Sequence, residues 1–282
     1  MNTRFAKTLT AVATLAVAAS TYAGSITVKG SDTLVILGQK WAEVYMKKNP
    51  GTTLQVTGGG SGVGIAALVN GTTDICNASR PMKTKEIATF IAKSRGIRPR
   101  EYKMCLDAIS VYVHKGNPVE CLSFPQLEGI FTGKITNWKQ VGGSDAPISL
   151  YGRENSSGTY EFFKEHVLKG KDFAAATKTM PGTAAVIQGI ASDANGVGYG
   201  GVAYGEGVKA LKVSKVDGGD AIAPNEETVL SSKYPIWRYL FNYVDPAKDS
   251  GAVAAYINWC LSDEGQAVVK DVGYFPLPKN MR

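Results

Sequence analysis

The feature that most constrains this chain is a strand that runs straight into a knot of glycine and small hydroxyl residues, from which a helix starts. The pattern occurs three times: at Gly30-Ser31-Asp32-Thr33, at residues 58–64 (Gly-Gly-Gly-Ser-Gly-Val-Gly) and at residues 153–159 (Arg-Glu-Asn-Ser-Ser-Gly-Thr). Around the first two, the apolar periodicity switches between strand and helix spacing. Residues 26–29 read as a strand, and Leu34, Leu37, Trp41, Val44 and Tyr45 follow at helical spacing up to the breaker Asn49-Pro50-Gly51. Residues 54–57 give the next strand, a second helix runs to about Val69, Asn70-Gly71 ends it, and 73–77 reads as a third strand. A βαβαβ opening implies a mainly parallel sheet whose loops gather at the C-terminal edge of the strands.

Beyond it, residues 108–114 form a continuous apolar strand that leaves this unit through Lys115-Gly116-Asn117-Pro118. A second α/β stretch follows, with a strand at 148–151, a helix at 159–168 and a Gly-rich segment at 196–207. A loop at 217–225 leads to another apolar strand at 236–244, and one helix is expected over about 250–270. Two long apolar strands bracketing an α/β block predict one lobe inserted into another: residues 24–113 with 236–282, and residues 114–235. The fold class expected is α/β, two lobes each built on a mainly parallel sheet flanked by helices and joined by two crossover strands.

Composition narrows the destination. Arg4 and Lys7, an apolar run from about Leu9 to Ala19, and Thr21-Tyr22-Ala23 make a secretory signal, with cleavage expected after Ala23 and the periplasm as destination. Its dozen or so apolar residues are too few for a stable transmembrane anchor, so no membrane insertion is expected. Removing the signal lowers the formal charge from +7 to +5, a balance that suits an anionic ligand. The densest basic stretch (Lys93, Arg95, Arg98, Arg100, Lys103) lacks interleaved aromatics and reads as a solvated loop, not a nucleic-acid surface. With two histidines and no CxxC or HExxH, neither a zinc site nor any other cofactor is expected. Cys105 and Cys121 flank a strand and its exit loop, where an oxidising destination permits a disulfide; Cys76 and Cys260 fit equally well as small buried hydrophobes.

The three segments carry the chemistry. A helix N-terminus presents unpaired N–H groups and about half a positive charge, so an oxyanion placed there is bonded directly. Glycine permits close approach and Ser/Thr hydroxyls add donors. Each segment alone is an ordinary cap; three in one chain, one beside Arg153, point to a tetrahedral anion. Gly62-Val63-Gly64-Ile65-Ala66-Ala67 matches a loose dinucleotide pattern, but no acidic residue ends the next strand and GxxxxGK[ST] is absent. Arg153 offers a bidentate fork for two oxyanion oxygens. Arg80, just past the third strand, could meet the ligand or pair with Asp32. Asp32 is an acceptor that would bond a protonated anion such as phosphate and be left unsatisfied against sulfate, a penalty of roughly 1–3 kcal/mol or more.

These residues resemble the periplasmic phosphate-binding proteins of Pst-type ABC transporters, over essentially the whole chain after the signal. The likeness rests on residues 30–33, on Gly-Gly-Gly-Ser-Gly at 58–62, on Ala-Ser-Arg at 78–80 and on Ile-Phe-Thr-Gly-Lys-Ile-Thr-Asn-Trp at 130–138. Arg153 with Ser157-Gly158-Thr159, and Leu-Ser-Asp-Glu-Gly-Gln at 261–266, complete it. It implies two lobes that close on phosphate and deliver it to membrane permease subunits, and a monomer is expected. It implies ligand contacts from Ser31, Thr33, Ser61, Arg153, Ser157, Gly158 and Thr159; Asp32, Gly60, Ser79, Arg80 and Ser156 complete the candidate set. In several relatives an Asp follows Ala-Ser and accepts the phosphate proton. Arg80 stands there in this chain, which leaves Asp32 as the candidate acceptor. Other tetrahedral oxyanions (sulfate, molybdate, tungstate), a phosphate-ester hydrolase, or a sensor or adhesin on the same fold remain the alternatives.

Overall fold

A computed structural model of the chain describes residues 24–282; the secretory signal read at 1–23 lies outside them. In chain order the elements are β1 (Gly24–Gly30), α1 (Val35–Lys48), β2 (Thr52–Thr57), α2 (Ser61–Val69), β3 (Ile75–Ala78) and α3 (Thr84–Lys93). Next come β4 (Arg100–Val113), β5 (Cys121–Ser123), α4 (Phe124–Phe131), β6 (Ser149–Arg153), α5 (Gly158–His166), β7 (Lys178–Met180) and α6 (Thr183–Ala191). The last are β8 (Gly196–Gly201), β9 (Lys209–Ala210), β10 (Lys212–Ser214), α7 (Glu226–Leu230), β11 (Trp237–Val244), α8 (Gly251–Leu261) and α9 (Asp263–Val272).

The strands order as β2-β1-β3-β11-β4-β8-β6-β7, with β9 also on β4 and a small β10-β5 pair apart. β1 is parallel to β2 and β3, and β6 is parallel to β7 and β8. The two parallel halves are two lobes, and β4 belongs to both. Its first part pairs antiparallel with β11, from Arg100 opposite Val244 to Ala108 opposite Trp237. From Ile109 onward it pairs with β8. Burial on both faces explains the near-continuous apolar run, every residue from Met104 to Val113 being buried.

The cores follow the lobes. In the first, α1 turns Leu37, Trp41, Ala42 and Tyr45 inward, and Tyr45 meets Tyr256 and Trp259 edge-on at 5.1 and 5.3 Å. The Trp41 indole N–H donates to the Gly265 carbonyl at 2.7 Å, tying α1 to α9. In the second, Phe163 stacks on Tyr199 at 4.2 Å and Phe131 meets Phe163 edge-on at 5.0 Å. Burying each large apolar side chain contributes about 1.5–3 kcal/mol. The chain end crosses back: Phe275 exchanges backbone hydrogen bonds with Leu106 (2.8 and 3.1 Å) and packs with Leu277 into the core around Phe131.

Three sequence expectations change. The strand expected from 108 begins at Arg100, so Arg100 and Lys103 are strand residues rather than loop. Arg100 pairs with Asp249 at 2.5 Å, and the Lys103 ammonium lies 4.3 Å from the Tyr239 ring centre; alternating charges hid an edge that pairing with β11 imposes. The last helix is two: Ser262 adopts an extended conformation and its Oγ accepts from the Gly265 N–H at 3.3 Å, restarting the chain as α9. All four cysteines are free thiols, with Cys76, Cys105 and Cys260 buried and Cys121 exposed. A Cys105–Cys121 disulfide fails because β4 is one extended strand. It holds Cys105 opposite Leu240 in the first lobe and carries the chain roughly 26 Å onward before β5 starts.

Candidate functional site

The strand–helix junctions meet where β4 passes between the lobes. β1 ends at Gly30, and a 3₁₀ turn at Asp32–Leu34 leads into α1, so the first segment is a turn rather than a clean α-helical start. α2 begins at Ser61 behind Gly60, whose φ of 96° and closeness to Ser156 exclude a side chain: a Cβ there would sit 2.5 Å from the Ser156 carbonyl oxygen. α5 begins at Gly158 behind Ser157, whose Oγ accepts from the Tyr160 N–H at 3.2 Å. α6 begins at Thr183 and supplies a further start that the sequence reading passed over.

The two sides interlock across the gap. Thr33 Oγ1 and Thr159 Oγ1 are 2.8 Å apart, the Gly62 N–H donates to the Ser156 carbonyl at 2.9 Å, and the Tyr204 hydroxyl donates to the Asp32 carbonyl at 2.6 Å. Ser61 Oγ accepts from the Ser79 N–H at 3.0 Å and lies 3.2 Å from Ser79 Oγ. Ser31, Thr33, Ser61, Ser79, Arg153, Ser157 and Thr159 are all buried. A hydroxyl cluster this dry is costly unless each group is bonded.

Arg153 closes one side. Its Nη2 donates to Asp32 Oδ2 at 2.5 Å and its Nη1 to Thr183 Oγ1 at 2.9 Å, while its buried Nε has no hydrogen-bond partner among the described residues. Asp32 Oδ1 accepts from the Gly59 N–H at 2.9 Å. The carboxylate read as a ligand acceptor is therefore also the group that orients Arg153 and pins the glycine loop. Of the two roles open to Arg80, meeting the ligand or pairing with Asp32, the second is not the one the fold provides. Its guanidinium bonds Glu86 at 2.7 and 2.8 Å, and its Nε lies 2.5 Å from Glu161 on α5. The chain between β3 and α3 turns it toward the acidic start of α3.

Two further charged residues line the cluster. Arg238 in β11 and Asp107 in β4 form a fully buried pair with bonds of 2.9 and 2.8 Å, and Arg238 also donates to Thr159 Oγ1 at 2.9 Å and to the Ser79 carbonyl at 2.8 Å. Burial pushes the Asp107 carboxyl up and the Arg238 guanidinium pulls against it. A signal was present in the sequence: each is the lone charge within an apolar run, and a buried charge requires a partner. Each arginine of the site thus faces its own carboxylate, so what the cluster offers an anion is chiefly helix dipoles and N–H and O–H donors rather than excess positive charge.

Known proteins resemble this chain over most of its length. A family model described as a PBP superfamily domain matches residues 16–264. The phosphate-binding protein PstS of Pseudomonas aeruginosa is 34% identical over 276 residues, covering 92% of this chain and 85% of that one. The chain belongs to the PstS family of phosphate-binding proteins. A Clostridium perfringens protein, crystallised with bound phosphate and named for phosphate ABC transport as a substrate-binding protein, superposes with a TM-score of 0.83. It is 29% identical, over 90% of this chain and all of that one. An ABC-type phosphate transport receptor from Vibrio cholerae gives 0.70 at 26% identity, with 90% and 100% coverage. These relatives are named as binding proteins or a transport receptor, not enzymes, and share the two-lobed fold. Among the described residues no helix is long and apolar enough to cross a membrane.

Two of the most distinctive runs, 130–138 and 261–266, serve the scaffold. The Trp138 indole donates to the Asn195 carbonyl, and Gln266 bonds Met104, Cys260 and Leu277 around the chain end. His166 stacks on Phe162 at 3.8 Å, away from the Ser157 hydroxyl's bonding partners.

Proposed function

We propose that this chain is an extracytoplasmic binding protein that captures inorganic phosphate between its lobes and delivers it to the membrane permease subunits of an ABC importer. The observation that carries it is the convergence of the α2, α5 and α6 starts, Arg153 and hydroxyls from both lobes in one buried cluster. Phosphate meets N–H and O–H donors already oriented, and closure excludes water so that each hydrogen bond strengthens in a low-dielectric setting. Its contacts are Ser31, Thr33, Gly60, Ser61, Ser79, Arg153, Ser156, Ser157, Gly158 and Thr159, with Arg80 acting through Glu161. Asp32 spends one lone-pair site of each oxygen on Gly59 and Arg153 and uses another to accept the phosphate proton. The lobes comprise 24–113 with 236–282 and 114–235; the change of β4's partner at Ala108/Ile109 supports a crossing a few residues earlier than the first limit. The protein acts as a monomer in the periplasm after signal removal, and it turns nothing over. Ser157 Oγ accepts from a backbone N–H, and among the described residues no histidine bonds it, which leaves the hydrolase reading without a nucleophile–base pair there.

Calorimetric titration of the wild type and Asp32→Asn with phosphate, sulfate and molybdate tests this. Tight binding of phosphate alone by the wild type, with preference over sulfate reduced at least tenfold in Asp32→Asn, is expected. Equal binding of sulfate would move the assignment to another oxyanion, and turnover of an aryl phosphate would replace it.

A further inference from the structure

Arg238 and Asp107 sit opposite one another in β11 and β4, the two strands that run through the junction of the lobes. Their side chains are 2% and 0% exposed, in strands that bury mostly apolar residues. A pair of this kind is a poor way to gain stability, since apolar residues of similar volume often serve as well or better. Its other bonds say what it does instead. Besides Asp107, the guanidinium reaches Thr159 Oγ1 on α5 at 2.9 Å, the Ser79 carbonyl after β3 at 2.8 Å and, at the 3.5 Å margin, Thr33 Oγ1. Its planar head also lies 5.6 Å from the centre of the Phe162 ring on α5. One residue of a crossing strand therefore holds ligand-facing groups of both lobes.

Direction matters here. A guanidinium has five N–H donors and no acceptor. Thr159 Oγ1 must be the acceptor in its bond with Arg238, so its hydroxyl proton points elsewhere, toward Thr33 Oγ1 or a bound oxyanion. Without Arg238 the hydroxyl rotates freely and presents a lone pair to the anion as readily as a proton. Neighbouring hydroxyls are fixed by the same device: the Ser79 N–H donates to Ser61 Oγ, the Tyr160 N–H to Ser157 Oγ and Arg153 to Thr183 Oγ1. Each has an acceptor site occupied, which aims its proton outward.

We propose that Arg238 is a positioning residue of the anion site, anchored by Asp107, which sets the Thr159 hydroxyl as a donor and couples the crossing strands to ligand binding. The inference rests on the phosphate reading above. A double-mutant cycle on phosphate affinity tests it, using wild type, Arg238→Lys, Thr159→Val and the double variant, each first shown to unfold cooperatively on heating. Lysine keeps the charge beside Asp107 but cannot fork to Thr159 and Ser79 together. Arg238→Lys and Thr159→Val should each weaken phosphate about 10- to 100-fold, the range for a hydrogen bond involving a charged group. If Arg238 acts through Thr159, the double variant should bind within about threefold of Thr159→Val. A purely structural ion pair would make the two losses multiply, and that result, or an Arg238→Lys protein binding like wild type, overturns the inference. Should Arg238→Lys not fold, Asp107→Asn takes its place in the cycle with the same two readings. A wild type that does not bind phosphate overturns the functional reading and this inference together; binding with multiplicative losses overturns the inference alone.

Discussion

Gly158→Ala should uncouple binding from folding. The added Cβ would lie 2.4 Å from Ser61 Oγ, 2.8 Å from Ser79 Oγ and 3.0 Å from Ser61 Cβ. Rotating the two hydroxyls breaks the 3.0 Å bond from the Ser79 N–H to Ser61 Oγ, and the Cβ–Cβ approach still makes α5 back away from α2 by a few tenths of an ångström. That shift also lengthens and weakens the 2.8 Å Thr33–Thr159 hydrogen bond. It also loosens the Gly62–Ser156 and Arg153–Asp32 bonds that span the lobes. At about 1 kcal/mol for each neutral bond and more for the charged one, the closed form loses about 2–4 kcal/mol, or roughly 30- to 1000-fold in phosphate affinity. The lobes relieve the clash by opening, so the unliganded protein should melt within a few degrees of wild type. Calorimetric titration with phosphate and a thermal melt without it are the paired assays. Affinity within threefold of wild type would refute the steric reasoning; a large drop in the unliganded melting temperature would refute the claim that opening relieves it.

Glu161→Gln removes the partner that Arg80 (2.5 Å) and Lys83 (2.9 Å) reach across the lobes. Glu161 and Lys83 are part-exposed, so about 1 kcal/mol is expected, a phosphate affinity about three- to tenfold weaker, with the gap to wild type narrowing in 1 M salt; a salt-independent gap would count against an ionic latch. Asp74→Asn tests stability against pH. Burial alone would raise the Asp74 carboxyl, but the Thr27 N–H and hydroxyl and the Lys248 ammonium outweigh it, leaving the pKa below the ordinary carboxylate range. A group depressed in the folded state contributes stability that is present above about pH 4 and lost as pH falls through its folded value. The variant should therefore be about 1 kcal/mol less stable at pH 7 by urea unfolding, the difference closing below about pH 4; a constant difference from pH 7 to pH 3 would exclude the linkage.

The sequence by itself determined the strand–helix alternation, the three Gly/Ser/Thr junctions and Arg153, because these depend on local rules: period, breakers, caps and the conformational freedom of glycine. The lone charges Asp107 and Arg238 are visible within their apolar runs, but the sequence offers no means of pairing residues 131 positions apart. Tertiary structure decided the partners. Arg80 could have met the anion or paired with Asp32, yet the fold gives Arg153 to Asp32 and hands Arg80 to Glu86 and Glu161. Cys105 and Cys121, sixteen positions apart, are kept in separate lobes because β4 is extended between them. Charge pairing and thiol contact depend on through-space distances set by sheet register and lobe closure, and neither is a property of spacing along the chain.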